Sequence, residues 1–164
     1  MDVQLAFGVS VLMSFIAFGV VARMYIWPAL QRMERDSALV PLIVPHLFRF
    51  IGLSFLVPGV VSPSLPYAFA APAAYGDAIA AVLAMIALFG LRQRTAWSIA
   101  AVWIFNVWGT ADLLFAVYEG QFGQRIDAGW LGGSFYIPTL VVPPLLILHA
   151  MIFVLLLRNR PAAR

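Results

Sequence analysis

Neither cysteine nor lysine occurs in the chain. Without a thiol there is no disulfide exchange, thiolate catalysis, iron–sulfur ligation or cysteine-based zinc site. Without lysine there is no amine for a Schiff base, which removes lysine-linked retinal and pyridoxal phosphate chemistry. Charge of either sign is also scarce. Of the 164 residues, 10% are charged and 63% hydrophobic, against about 25% charged in an ordinary soluble domain. The basic residues lie in short clusters between apolar runs. The formal charge of +3 is therefore a topology signal and not a nucleic-acid footprint. This composition predicts an integral membrane protein partnered by membrane lipids and not by nucleic acid, with residues 1–164 as a single domain.

Five apolar runs follow one another: 3–27, 39–61, 73–91, 96–118 and 135–157. Each is near the roughly 20 residues that cross a hydrocarbon core as a helix. The expected fold class is all-α, a bundle of five transmembrane helices. The first run lacks a basic leader segment and a small-residue cleavage site before Arg23, so it reads as a retained helix and not a signal peptide. Gly8 and Gly19 share a face where a neighbour should approach closely, and Gly76, Ala80 and Ala84 form a small-residue stripe in the third run. The uncharged stretch 62–76 holds Pro63, Pro66 and Pro72 and is expected to be a helix-free cap over the bundle. Asp77 and Glu119 are expected near the outer helix ends, within reach of water. Arg23, Arg32, Arg35, Arg92, Arg94, Arg158, Arg160 and Arg164 fall on one side, and only Arg125 on the other. The positive-inside rule then places the N-terminus outside and the C-terminus in the cytoplasm, in a bacterial cytoplasmic membrane.

The chemistry concentrates in residues 39–61, LVPLIVPHLFRFIGLSFLVPGVV. His46 and Arg49 are three apart and share a helix face. An arginine at the centre of a membrane helix costs about 2.5–3.5 kcal/mol on insertion scales, so Arg49 needs a partner, and Asp112 in the fourth run is the natural counter-ion. Asn106 lies at similar depth. Trp108 sits too deep for an interfacial belt and, with Phe105, Asp112, Ala116 and Glu119, marks one side of the fourth helix. His149 in the fifth run matches His46 in depth. Two histidines from opposed helices could hold a haem axially, although hydrogen-bonded histidines inside the bundle are the simpler reading. A zinc site would need a third ligand from a carboxylate, and no metal site is expected.

His46, Arg49, Asn106, Trp108, Asp112 and His149 are thus the candidate ligand-binding residues, facing a pocket between the second, fourth and fifth helices. Pro45, Pro143 and Pro144 free backbone carbonyls toward that pocket. The expected ligand is small, apolar or amphipathic, with its polar end directed by Arg49. The expected function is binding or processing of a lipid-like molecule. A small transporter or proton-coupled channel, or an accessory subunit of a larger membrane complex, are the alternatives. No complete catalytic set is present, no cofactor follows from the residues, and oligomerisation is left open.

Overall fold

The computed structural model describes residues 2–158; Arg160 and Arg164 of the basic tail lie outside the described residues. Among the described residues the chain is helical and without strands, apart from one isolated bridge between Pro58 and Val61. Five helices are long and apolar enough to cross a membrane: α1 Val3–Leu30, α2 Arg35–Leu56, α3 Tyr67–Arg92, α4 Ser98–Gly123 and α5 Ile137–Leu157. Helix α3 is central. It packs intimately against α2 on one side and α4 on the other, while α1 lies mainly on α5. Two hydrophobic clusters fill the interior. One, around Leu42, Ala84, Phe105 and Ile152, lies toward the cytoplasm-directed ends expected from the arginines. The other, around Phe55, Phe69, Leu131 and Ile137, lies toward the opposite end.

Prolines set the irregularities. Helix α1 widens into a π-turn at Ala22–Ile26 just before Pro28, and α5 does the same at Ile137–Val141 before Pro143. A proline ring clashes with the carbonyl four residues earlier and lacks an N–H; a π-turn there widens the ring of backbone bonds and relieves both. Helix α2 responds differently. It is α-helical over Arg35–Ile43, then becomes a 3-10 helix for 13 residues, Val44–Leu56, entered at Pro45. Runs of 3-10 helix beyond three or four residues are uncommon. This one has a visible consequence. His46, Arg49, Gly52 and Phe55 are its buried residues, and three residues per turn stack them in one line. In an α-helix the nine residues from His46 to Phe55 make about two and a half turns, so the two rings would face opposite ways.

The structure corrects several expected boundaries. Helix α3 starts at Tyr67, and Pro72 sits within its second turn between alanines, losing one backbone bond without ending the helix. The cap expected over 62–76 therefore shrinks to the few residues before Tyr67. Asp77 moves about 15 Å into the helix, at 1.5 Å per residue, and is buried, not washed by water. Gly8 and Gly19 are not contact points: a Cβ on either would meet nothing within 4 Å. The small-residue stripe is buried as expected, with Ala80, Ala84 and Ala87 fully enclosed.

Candidate functional site

Arg49 lies between the two hydrophobic clusters with 1% of its side chain exposed. All three nitrogens of its guanidinium are engaged. Nε donates to Asp77 Oδ1 at 2.7 Å, Nη2 to Asp112 Oδ2 at 2.6 Å, and Nη1 to the Gly109 carbonyl at 3.1 Å. Nη1 also lies 3.4 Å from His149 Nε2. Arginine has only donors, so Nε2 accepts. That assigns the ring proton to Nδ1, which donates to Asn106 Oδ1 at 2.7 Å. Asn106 closes the loop by donating from Nδ2 to the His149 carbonyl at 3.3 Å. One guanidinium thus joins α2 to α3, α4 and α5.

Three glycines make the room. A Cβ on Gly52 would collide with the Asp77 carboxylate, and one on Gly76 with the Asp112 carboxylate. On Gly109 it would stand 2.7 Å from Arg49 Nη1 and 2.7 Å from His149 Cε1. Each charged group lies over a missing side chain on a neighbouring helix, which lets ions of full size sit between helices in close contact.

His46 and His149 come together, with ring centroids 4.2 Å apart, and Phe105 packs edge-on against His46 at 5.0 Å. This contact does not fit axial ligation. A haem between them would need room for its macrocycle and a nitrogen of each ring aimed at one iron. The imidazoles instead lie against one another with their planes tilted by 48°, and His149 already uses both nitrogens. Neither nitrogen of His46 has a hydrogen-bond partner among the described residues. Among the described residues no group of three or more His, Cys, Asp or Glu could hold a metal ion.

A cleft of about 580 Å³ approaches the ion cluster from the carboxylate side. Its walls come from α1 through Phe7, Val11 and Phe15, from α3 through Phe69 and Ala73, from α4 through Leu113 and Ala116, and from α5 through Ile137 and Val142. Gln4 and Gln121 are its other polar residues; Asp77 and Asp112 supply all its charge. Of the six candidate residues, only Asp112 lines it. His46, Arg49, Asn106 and His149 form the closed wall behind, and Trp108 faces outward at 44% exposure, touching the cluster only through a long 3.4 Å bond from Nε1 to the Gly76 carbonyl. The pocket expected between the second, fourth and fifth helices is therefore displaced toward α1. Phe105 and Asp112 share one side of the fourth helix as expected, but at different levels: Phe105 lies in the closed core and Asp112, about two turns on, lines the cleft. Asp77 and the α1 wall went unrecognised. The period-three spacing of His46, Arg49, Gly52 and Phe55 was a usable signal, because it announces a 3-10 face and so the level at which Arg49 meets both carboxylates.

A second depression, at the far end of the bundle, is lined by Arg32, Arg35, Arg92 and Arg94 with Glu34 and Asp36. Arg158 lies at the same end, its guanidinium 4.9 Å from the Trp27 ring centre. The turns thus gather the arginines that the sequence assigns to one side.

Fold and site together define a class: a helical bundle with apolar outer faces, crossed at mid-height by one arginine held between two carboxylates. Residues 6–157 match the family described as a domain of unknown function (DUF8737), and the chain belongs to that family. No curated protein and no solved structure matches the chain.

Proposed function

We propose that the protein is an integral membrane protein of a bacterial cytoplasmic membrane that binds a small lipid-like molecule in the cleft between α1, α3, α4 and α5. Its five helices cross the bilayer with the N-terminus outside and the C-terminus in the cytoplasm. Two features support embedding. Large apolar side chains such as Leu12, Phe48, Phe89, Ile104 and Leu157 are exposed, whereas Arg49, Asp77 and Asp112 are turned inward. The gathered arginines at one end support the orientation. Reporter fusions at the two termini should report from opposite sides.

The observation that carries the binding reading is the cleft. Its volume of about 580 Å³ lies within the roughly 300–1,000 Å³ of small-molecule sites. Its wall is apolar and it ends on two buried carboxylates, the arrangement of a site that gains affinity from apolar contact and orientation from a polar end. Burial should contribute about 25 cal/mol per Å² of apolar surface. Ala116→Trp places an indole within the cleft, at a position on α4 that is already partly exposed. Native mass spectrometry of the purified protein should show bound lipid-like species that this variant loses. Equal retention of such species by the variant would remove the cleft as the site.

A further inference from the structure

We propose that the cleft takes a monovalent organic cation with an apolar body, and that its head replaces one proton held at the Asp77–Arg49–Asp112 cluster. The inference rests on the cleft reading and adds the charge of the ligand and what leaves when it binds.

The argument is a charge count. Two carboxylates pair with one guanidinium, which leaves one negative charge uncompensated. The neighbouring groups do not supply the balance. From α5, His149 accepts at Nε2 and donates at Nδ1, so its ring carries one proton and no charge. From α2, His46 has no partner among the described residues at either nitrogen that would hold a second proton. From α1, the wall Val3–Val21 carries no charged residue. From α4, Glu119 lies about 10 Å farther along the helix at 1.5 Å per residue and does not line the cleft.

The excess charge faces the cleft. Asp77 keeps 9% and Asp112 11% of the side chain exposed, against 1% for Arg49. Arg49 uses Asp77 Oδ1 and Asp112 Oδ2. Asp77 Oδ2 and Asp112 Oδ1, poised over Gly52 and Gly76, receive no hydrogen bond from the described residues. A ligand's head would meet the two carboxylates where Asp77 and Asp112 line the cleft. Arg49 is spent on its own partners and does not line the cleft, so an anionic head would meet carboxylates first. This reverses the polarity expected from the sequence, where Arg49 was to direct the ligand. A divalent cation would overshoot the balance by one charge in an otherwise apolar site.

An uncompensated charge beside apolar walls is costly. The empty cluster removes it with a proton on one carboxylate, and the loaded cluster with the ligand's head. On binding, one carboxylic O–H bond breaks, its proton leaves to water through the cleft, and the freed carboxylate pairs with the cation. Net charge is the same before and after, so exchange is one for one.

Tetraphenylphosphonium and tetraphenylborate test this, because they share a four-ring shape and differ in sign. Calorimetry on the protein in nanodiscs, with empty nanodiscs subtracted, is run in two buffers of different ionisation enthalpy. Tetraphenylphosphonium should bind at least tenfold more tightly than tetraphenylborate and release close to one proton. Its affinity should rise up to tenfold per pH unit while the proton is being displaced. Asp112→Asn should lose both the release and at least tenfold in affinity, whereas Asp112→Glu should keep the release. If the asparagine variant does not fold, the proton count of the unmodified protein decides alone. Tetraphenylborate binding as tightly as the phosphonium, or phosphonium binding without proton release, overturns the proposal. If the borate binds and Ala116→Trp blocks it, the cleft reading survives and the cation reading falls. If neither ion binds in a way that Ala116→Trp changes, both fall.

Discussion

The two sides of the Arg49 guanidinium are built by opposite rules. On the Nη1 side everything is closed: the Gly109 carbonyl, His149, Asn106 and Phe105 are buried and in contact. On the Nε and Nη2 side the partners are two carboxyl groups, each giving one oxygen to Arg49, and both residues line a cleft. The closed side fixes where the arginine stands. The open side sets two carboxyl groups against one guanidinium. A purely structural ion pair would have no reason for the second carboxylate, since burying an extra ion adds desolvation cost without adding a cation. On the cation-binding proposal, that asymmetry is what separates a site from a rivet.

The strongest way to break this comparison is to remove the ion that both sides share. Arg49→Met strands two carboxylates, and the bundle should lose about 3–5 kcal/mol or more, read as a collapse of the thermal unfolding midpoint in detergent. The sequence alone suggests that Arg49→Met with Asp112→Leu should recover the loss. The structure predicts that this double change fails, because Asp77 stays buried and unpaired. Adding Asp77→Asn should restore much of it. Recovery by the double change alone would show that Asp77 is not a partner of Arg49 in the membrane.

Glycine substitutions probe the two sides separately. Gly109→Ala pushes a methyl to 2.7 Å from Arg49 Nη1 and His149 Cε1, groups clamped by their other bonds, and should cost about 1–3 kcal/mol as an overpacked core does. Gly76→Ala meets the Asp112 carboxylate, the end of a side chain bordering open space, and should cost less in stability. It should nevertheless swing Asp112 from Arg49 and weaken cation binding more than Gly109→Ala does. Equal effects on unfolding and binding at both positions would erase the difference between the sides.

Much of this was legible in the sequence, for definite reasons. Long apolar runs cannot be hidden, so five helices and the arginine asymmetry could be read directly. An intramembrane arginine demands a counter-ion, which pointed to Asp112. Asp77 was lost because Pro72 reads as a helix breaker, and a proline in an early turn among alanines costs only one bond. The cleft was expected between the second, fourth and fifth helices because Arg49 was read as facing it, whereas Arg49 is closed off behind its two carboxylates. The second helix itself runs from Arg35 to Leu56, not over 39–61, and rises about 2.0 Å per residue in its 3-10 part. Nothing local announces that α1 will stand off from α4 and leave a wall; that follows from α1 packing on α5.

His46 offers a smaller and opposite effect. Its ring is fully buried and both nitrogens lack partners among the described residues, which penalises the folded state by the desolvation of those groups. His46→Phe keeps a ring packed against His149 and Phe105, and should leave stability unchanged or raise it by about 1 kcal/mol. The same change at His149 removes bonds to Arg49 and Asn106 and should be clearly destabilising. A loss at His46 as large as at His149 would mean that its nitrogens are bonded in the membrane, and the closed side would then not be closed.

Trp108 sharpens the comparison from outside it. The sequence makes it a ligand contact below a lid, with Trp108→Ala weakening binding. In the structure it is on neither side of Arg49: its ring is 44% exposed and absent from the cleft wall. Its one bond to the cluster is the 3.4 Å contact from Nε1 to the Gly76 carbonyl, beyond the usual 2.7–3.2 Å range. Trp108→Phe should therefore cost no more than about 0.5 kcal/mol, the low end for a neutral hydrogen bond. Phosphonium affinity and proton release should stay within twofold of the unmodified protein. The pairing of this variant with Gly76→Ala is informative, since both touch the same turn of α3. Only the glycine change enters the space of the Asp112 carboxylate. If Trp108→Phe alters binding as strongly as Gly76→Ala, the ligand reaches the outer face of α4, and the cleft between α1 and α4 is a passage to the site and not the site itself.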